Sequence, residues 1–239
     1  AATALTTGGE TICIGKGAGG ALNTGGNNLA IGHQALATAT DTNYNIAIGR
    51  DALNDATGTE NVIVGHWGGD AISTGTANIG LGYQVLGALT TGSSNVAIGG
   101  YALDAVTTTS DNVAVGVGAL GANTASYNTA VGRSALLANT TSSENVAVGY
   151  QSLYTQTDGT RCTAIGAYAL KVSNANDNTA VGCTALDANS SGTNNTAVGS
   201  GALSANTTAS KNTAVGYSAG IATTTGSSNT LIGYEAGKT

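Results

Sequence analysis

The apolar positions of this chain return in one short block. An Asn is followed by three small or aliphatic residues and a Gly, then by two variable residues, Ala and Leu, and then by a polar stretch that runs to the next Asn. The block occurs fourteen times, anchored on Gly15, Gly32, Gly49, Gly65, Gly82, Gly99, Gly116, Gly132, Gly149, Gly166, Gly182, Gly199, Gly216 and Gly233, at intervals of sixteen or seventeen residues. Self-similarity at a fixed period marks a repeat architecture. Positions are numbered below from this glycine. Position −1 is Ile, Val or Leu in all fourteen repeats, which is a strict packing demand, and position −2 is Ala in ten. Position −4 is Asn in twelve, failing only at Thr11 and Cys162; position +3 is Ala in eleven and position +4 is Leu in ten. Polar turns such as Asn139-Thr140-Thr141-Ser142-Ser143 and Asn189-Ser190-Ser191-Gly192 separate the blocks.

A helical repeat is opposed on three counts. Gly in every block costs a helix about 1 kcal/mol each time, Val, Ile and Thr favour strands, and the apolar stretch is too short for three turns. The pattern predicts a strand, a sharp turn at the glycine, a second short strand carrying Ala and Leu, and a polar turn. So short a period closes one coil of a solenoid. Fourteen coils stacked at about 4.8 Å make a rod about 65 Å long. The expected fold is therefore all-β: a parallel β-solenoid, or β-roll, of fourteen short coils forming one repeat domain over 1–239. The Asn column either stacks as an amide ladder between coils or bonds locally within its turn, and both roles are structural. Asn128, Val131, Gly132, Asn145, Val148, Gly149, Asn195, Val198 and Gly199 exemplify the ladder positions.

Strand side chains alternate, so positions −3 and −1 share one face while Ala at −2 and the Gly share the other. In the second strand Ala and Leu are expected to point opposite ways. Both faces are apolar, so one is expected to fill the lumen and the other to be covered by neighbouring chains. The pattern runs from Thr11, after a loosely matching Ala1–Glu10, to Tyr234-Glu235-Ala236-Gly237, without the polar caps that solenoids need. A longer fibre or end-to-end stacking is the expectation, and the start at Ala1 reads as processing or as a segment of something longer.

Composition narrows the class. Gly is 37 of 239, aromatics are 4% and charged residues 8%, and Pro, Phe and Met are absent. Ordinary globular domains carry about 25% charged residues, and disordered chains combine low hydrophobicity with high charge. The core must be built from Ala, Val, Ile and Leu ladders. Net charge is −6 and the seven basic residues are scattered, which argues against a nucleic-acid partner. No apolar run approaches the roughly 20 residues of a membrane span. Cys13, Cys162 and Cys183 have no metal or disulfide spacing, and Cys162 and Cys183 sit five positions apart around neighbouring coils. All three read as packing or surface residues.

Little chemistry is written into the chain. Gly15-Lys16-Gly17-Ala18-Gly19-Gly20 and Gly116-Val117-Gly118-Ala119-Leu120-Gly121 match a dinucleotide-binding string, yet no helix is expected after either. His33 and His66 occupy position +1, shared with Tyr83, Tyr150, Tyr217 and Tyr234, and read as exposed decorations without the partners a metal needs. Asp41, Asp51, Asp55 and Asp70 lack the spacing of calcium-binding rolls. No catalytic residue, cofactor or metal is expected, and the chain does not read as an enzyme. Trp67 and the Tyr column offer stacking surfaces for a surface glycan or receptor. Asn139, Asn189, Asn194 and Asn206 open glycosylation sequons. Thr129, Thr163, Thr179, Thr196, Thr213 and Thr230 form a Thr column at position −3, sharing its face with obligate aliphatics. Flat Thr arrays can bind ice, which makes an ice-binding solenoid a remote alternative.

Asn128-Thr129-Ala130-Val131-Gly132, Asn145-Val146-Ala147-Val148-Gly149-Tyr150-Gln151-Ser152-Leu153 and Asn229-Thr230-Leu231-Ile232-Gly233-Tyr234-Glu235-Ala236-Gly237 resemble the repeats of phage tail-fibre shafts and phage-like surface proteins. They are similar, more distantly, to the Ala-Ile-Gly coils of trimeric autotransporter adhesin heads, whose coils are shorter. The resemblance covers essentially the whole chain and rests on repetition. It implies a parallel β-roll, commonly trimeric, extending from a virion or cell surface to contact a host or substrate; left-handed coils lying side by side in a homotrimer are the expectation. The expected function is an extracellular fibre or adhesin shaft whose main partner is itself. The alternative is a filament subunit that stacks end to end as a homopolymer.

Overall fold

The computed structural model describes residues 9–238 of the chain, so the first eight residues of the Ala1–Glu10 segment lie outside the described residues. The protein is an all-β parallel β-solenoid, and the described residues form no helix. It divides into two compact units, Ala1–Gly118 and Ala119–Thr239. The first holds strands β1 (Ile12–Ile14), β2 (Leu29–Ile31), β3 (Ile46–Ile48), β4 (Val62–Val64), β5 (Ile79–Leu81), β6 (Val96–Ile98) and β7 (Val113–Val115). The second holds β8 (Thr129–Val131), β9 (Val146–Val148), β10 (Thr163–Ile165), β11 (Thr179–Val181), β12 (Thr196–Val198), β13 (Thr213–Val215) and β14 (Thr230–Ile232). Each strand is the three residues before a repeat glycine. Within each unit every strand pairs in parallel with its neighbours in sequence, in the register Ile46↔Val62 or Ala130↔Ala147, so equivalent side chains stack coil upon coil.

The glycine corner explains why no other residue occupies this position. Gly132 and Gly149 have φ of 133° and 135°. A Cβ on either would lie 2.5 Å from the carbonyl oxygen of the glycine one coil further on. Conformation and close backbone approach therefore both exclude a side chain.

The predicted second strand is absent. The segment after the glycine is a turn in which positions +2 and +4 take left-handed conformations, as at Gln151 (φ 52°) and Leu153 (φ 47°). The turn still joins the ladder: the N–H of Gln151 donates back to Arg133 at 3.1 Å, while that of Leu153 donates forward to Ala169 at 3.0 Å. Losing strand alternation changes the side-chain directions. Ala at +3 and Leu at +4, expected on opposite faces, are both fully buried, as in Ala135-Leu136 and Ala185-Leu186. A left-handed conformation costs a Leu about 1–2 kcal/mol. Burying its side chain returns about 1.5–3 kcal/mol, so Leu is tolerated where Gly would be the easy choice.

The lumen is filled by Ala at −2 and by the Ala-Leu pair, and a larger residue in one of these columns is met by a smaller one in another. Where −2 is larger than Ala, position +4 of the same coil is Gly: Cys13 with Gly19, Ile63 with Gly69 and Leu231 with Gly237. A Cβ at Gly237 would lie 2.9 Å from Leu231 Cδ2. Around Ile63 the adjustment extends to Gly68 and Gly80, whose added Cβ atoms would each come within 2.6 Å of its side chain. Coils of sixteen residues lose their residue from the polar turn, between the buried positions +7 and −7, and keep every core column.

Candidate binding surfaces

The Asn column is buried and bonds between coils. Within each unit the amide Oδ1 typically accepts from the backbone N–H of the next residue in the column, as Asn128 does from Asn145 at 3.1 Å and Asn178 from Asn195 at 3.0 Å. Its Nδ2 donates to the carbonyl at position −7 of that same next coil, as Asn145 does to Gly159 at 3.0 Å and Asn195 to Ala209 at 2.8 Å. One side chain thus clamps both ends of the neighbouring turn. Stretches such as Asn78 to Asn112 add direct amide–amide bonds of 3.1–3.2 Å. Cys162 stands in this column and substitutes partially. Its thiol lies 3.0 Å from the Ala175 carbonyl, and burial raises its pKa above the usual thiol range against the lowering effect of hydrogen bonds from Asn178 and Gln156.

Position +7 is a second buried column that the sequence pattern did not reveal, because it changes character. In the first unit it is apolar: Leu22, Ala39, Ala56, Ile72, Leu89 and Val106. In the second it is polar: Asn123, Asn139, Gln156, Ser173, Asn189 and Asn206. There the amides form their own ladder, with Asn139 donating to Asn123 at 2.7 Å and Asn206 to Asn189 at 2.9 Å. Asn139 and Asn189 also donate to the −7 carbonyls of Ser142 and Gly192. The signal available in sequence was position, since these residues fall at a constant distance after the glycine.

The outer face of the strands carries positions −3 and −1. Val131 and Val148 are half-buried there, and Val198 is exposed. In the first unit the face is wholly aliphatic, with Ile79 and Leu81 exposed by 44% and 48%. In the second unit Thr replaces the aliphatic residue at −3 in six of seven strands, and Thr163, Thr179, Thr196, Thr213 and Thr230 stand in register. No charged residue occurs at either position.

The third surface is the corner formed by positions +1 and +2. His33 is exposed, whereas His66 is half-buried and packed, contrary to the expectation of a simple exposed decoration. Its ring lies 4.1 Å from Trp67 and 5.8 Å from Tyr83, centroid to centroid, and its Nε2 is buried without a hydrogen-bond partner. Trp67 lies 5.9 Å from Tyr83, which meets Tyr101 edge-on at 5.3 Å. Asp51 anchors the group, accepting from Trp67 Nε1 at 3.0 Å and from Arg50 Nε at 3.1 Å, with His33 Nδ1 at 3.9 Å. Arg50 lies 6.0 Å from the Trp67 ring centroid. Loss of water, and then Tyr101, raises the pKa of the Tyr83 phenol. In the second unit Tyr150 pairs with Tyr168 and Tyr217 with Tyr234.

The remaining sequence candidates do not converge. The two glycine-rich strings lie in turns that follow strands. Cys162 is buried and Cys183 exposed, on neighbouring coils. Asn139, Asn189 and Asn206 lie in the lumen, which leaves Asn194 as the exposed sequon. Among the described residues no cluster of His, Cys, Asp or Glu could hold a metal ion, no cavity opens, and no helix is long and apolar enough to cross a membrane. No family model, curated protein or solved structure matches the chain.

Proposed function

We propose that the chain is a structural shaft of an extracellular fibre or adhesin, on a virion or cell surface, in which left-handed coils lie side by side in a homotrimer. The role is mechanical rather than catalytic: backbone and amide ladders hold the coils, and attachment to a host or substrate follows from what the shaft carries. One observation carries the reading. Every strand presents two uncharged, mostly aliphatic side chains outward in register, and a ladder of this period is matched best by the same ladder on another copy. The resemblance to tail-fibre shafts and adhesin heads supports the copy number. Cryo-electron microscopy of the native particle tests the proposal. Three parallel rolls packed on these faces are expected; an indefinite end-to-end polymer of single chains would replace the shaft with the filament subunit.

A second reading draws on the Thr ladder of the second unit. Its outward position in a regular sheet is what an ice-binding face requires, but only if that face stays unpaired. Thermal hysteresis lost on replacing Thr179, Thr196 and Thr213 would favour it, and no hysteresis at high protein concentration ends it.

A further inference from the structure

We propose that the corner of the first unit running from His33 to Tyr101 is a binding strip for an extended, neutral polysaccharide. The inference uses the fold alone and stands whether the chain serves as shaft or filament. The lumen contains no aromatic side chain among its buried hydrophobic residues, so these rings are not core. Trp67, the only Trp of the chain, stands instead half-buried at the outer corner in a left-handed conformation (φ 55°), and Tyr101 stands exposed there (φ 59°). The turn imposes that conformation on position +2 of other coils too, as at Gln84 and Ser134, so the backbone calls for no bulky residue there. The indole is also held in place, because its N–H is fixed by Asp51, a residue 8% exposed on the preceding coil. Tyr83 and Tyr101 follow on the next two coils, 39% and 46% exposed.

Shape and charge select the ligand. Among the described residues no cavity opens, so the strip suits a chain lying along the surface rather than an enclosed small molecule. Four coil steps at about 4.8 Å give it a length of about 19 Å, more than a single sugar ring covers. The formal charges of Arg50 and Asp51 cancel in a chain of net charge −6, which disfavours nucleic acid and polyanionic glycans. Aromatic faces take the C–H faces of sugar rings, while Arg50, Asp51, His33 and the phenols flank them as donors and acceptors for hydroxyls.

The single Trp makes the test specific, because its emission reports on this strip and on nothing else. The protein is titrated with cellohexaose, chitohexaose and mannohexaose to millimolar concentration, with circular dichroism confirming the fold of each variant. A saturable change in Trp67 emission with at least one saccharide is expected. Tyr83→Ala and Tyr101→Ala are expected to weaken it about tenfold each, and Tyr217→Ala in the second unit to leave it unchanged. The proposal is overturned if no saccharide moves the emission, or if Tyr83→Ala binds as tightly as the parent. A response to a deglycosylated protein surface and to none of the saccharides also overturns it and assigns the strip to a protein partner.

Discussion

The two units share a coil but differ in one column of its lumen. Both have Ala at −2, the Asn clamp at −4 and the glycine corner, yet the buried column at +7 reads Leu22, Ile72, Leu89 and Val106 in the first and Asn123, Asn139, Asn189 and Asn206 in the second. The outer face changes as well, from aliphatic pairs to Thr with an aliphatic partner. The fold is therefore specified by the columns held in common. The +7 position only has to be filled, either by dispersion contacts or by amides whose bonds are made within the column.

Breaking a shared column should cost both units alike. Gly99→Ala in the first and Gly149→Ala in the second each place a Cβ at a φ above 110° and within 2.7 Å of the next coil's backbone. Both are expected to lose on the order of 3 kcal/mol or more in urea unfolding. A large difference between the two would show that the corner is not a common determinant. Exchanging the +7 residues should separate the units. Leu89→Asn inserts an amide into an apolar column and is expected to cost about 2–4 kcal/mol. Asn189→Leu removes the acceptor of Asn206 and is expected to cost about 1–3 kcal/mol. Adding Asn206→Leu should recover part of that loss, because both members of the bond are then apolar. A strictly additive double variant would mean that the amide ladder has no coupled energy.

A smaller effect tests the clamp itself. Cys162 leaves one rung of the Asn column incomplete, so Cys162→Asn is expected to stabilise the second unit by about 1 kcal/mol. The pH dependence gives an independent check. Burial raises the thiol's folded pKa above its unfolded value near 8.5, so the unfolded state loses its proton first as pH rises. The stability due to this thiol is present below that pH and is lost on the way up to the folded pKa. Cys162→Asn should abolish that part of the alkaline decline, as followed by melting temperature between neutral pH and pH 10; an unchanged decline would mean that other groups cause it.

Period, strand position and the obligate glycine were legible because each coil repeats the same demand, and fourteen copies outweigh any one exception. The second strand was misjudged at Ala135-Leu136 and its equivalents. Adjacent apolar residues read as opposite faces only if the backbone is extended, and nothing in Leu announces a left-handed conformation. The +7 column was not legible because Leu89 and Asn189 fill equivalent places with opposite chemistry. The aromatic corner was legible as residues but not as a cluster. Arg50, Asp51, His66, Trp67, Tyr83 and Tyr101 meet only once the coils are stacked in register.

The outer faces give the finest comparison. Ile79→Lys in the first unit and Thr196→Lys in the second both place a charge on a side chain that already points outward. Each should therefore change the stability of an isolated chain by no more than about 0.5 kcal/mol. Their effects on association should differ if copies pack through these faces. Burying a lysine among aliphatic ladders leaves its charge unpaired, whereas among Thr residues hydroxyls remain as partners. Analytical ultracentrifugation is thus expected to show Ile79→Lys dissociating the assembly more completely than Thr196→Lys. Equal dissociation by both would mean that shape complementarity, rather than the chemistry distinguishing the two faces, governs the contact. An assembly untouched by either would place the interface elsewhere on the coil.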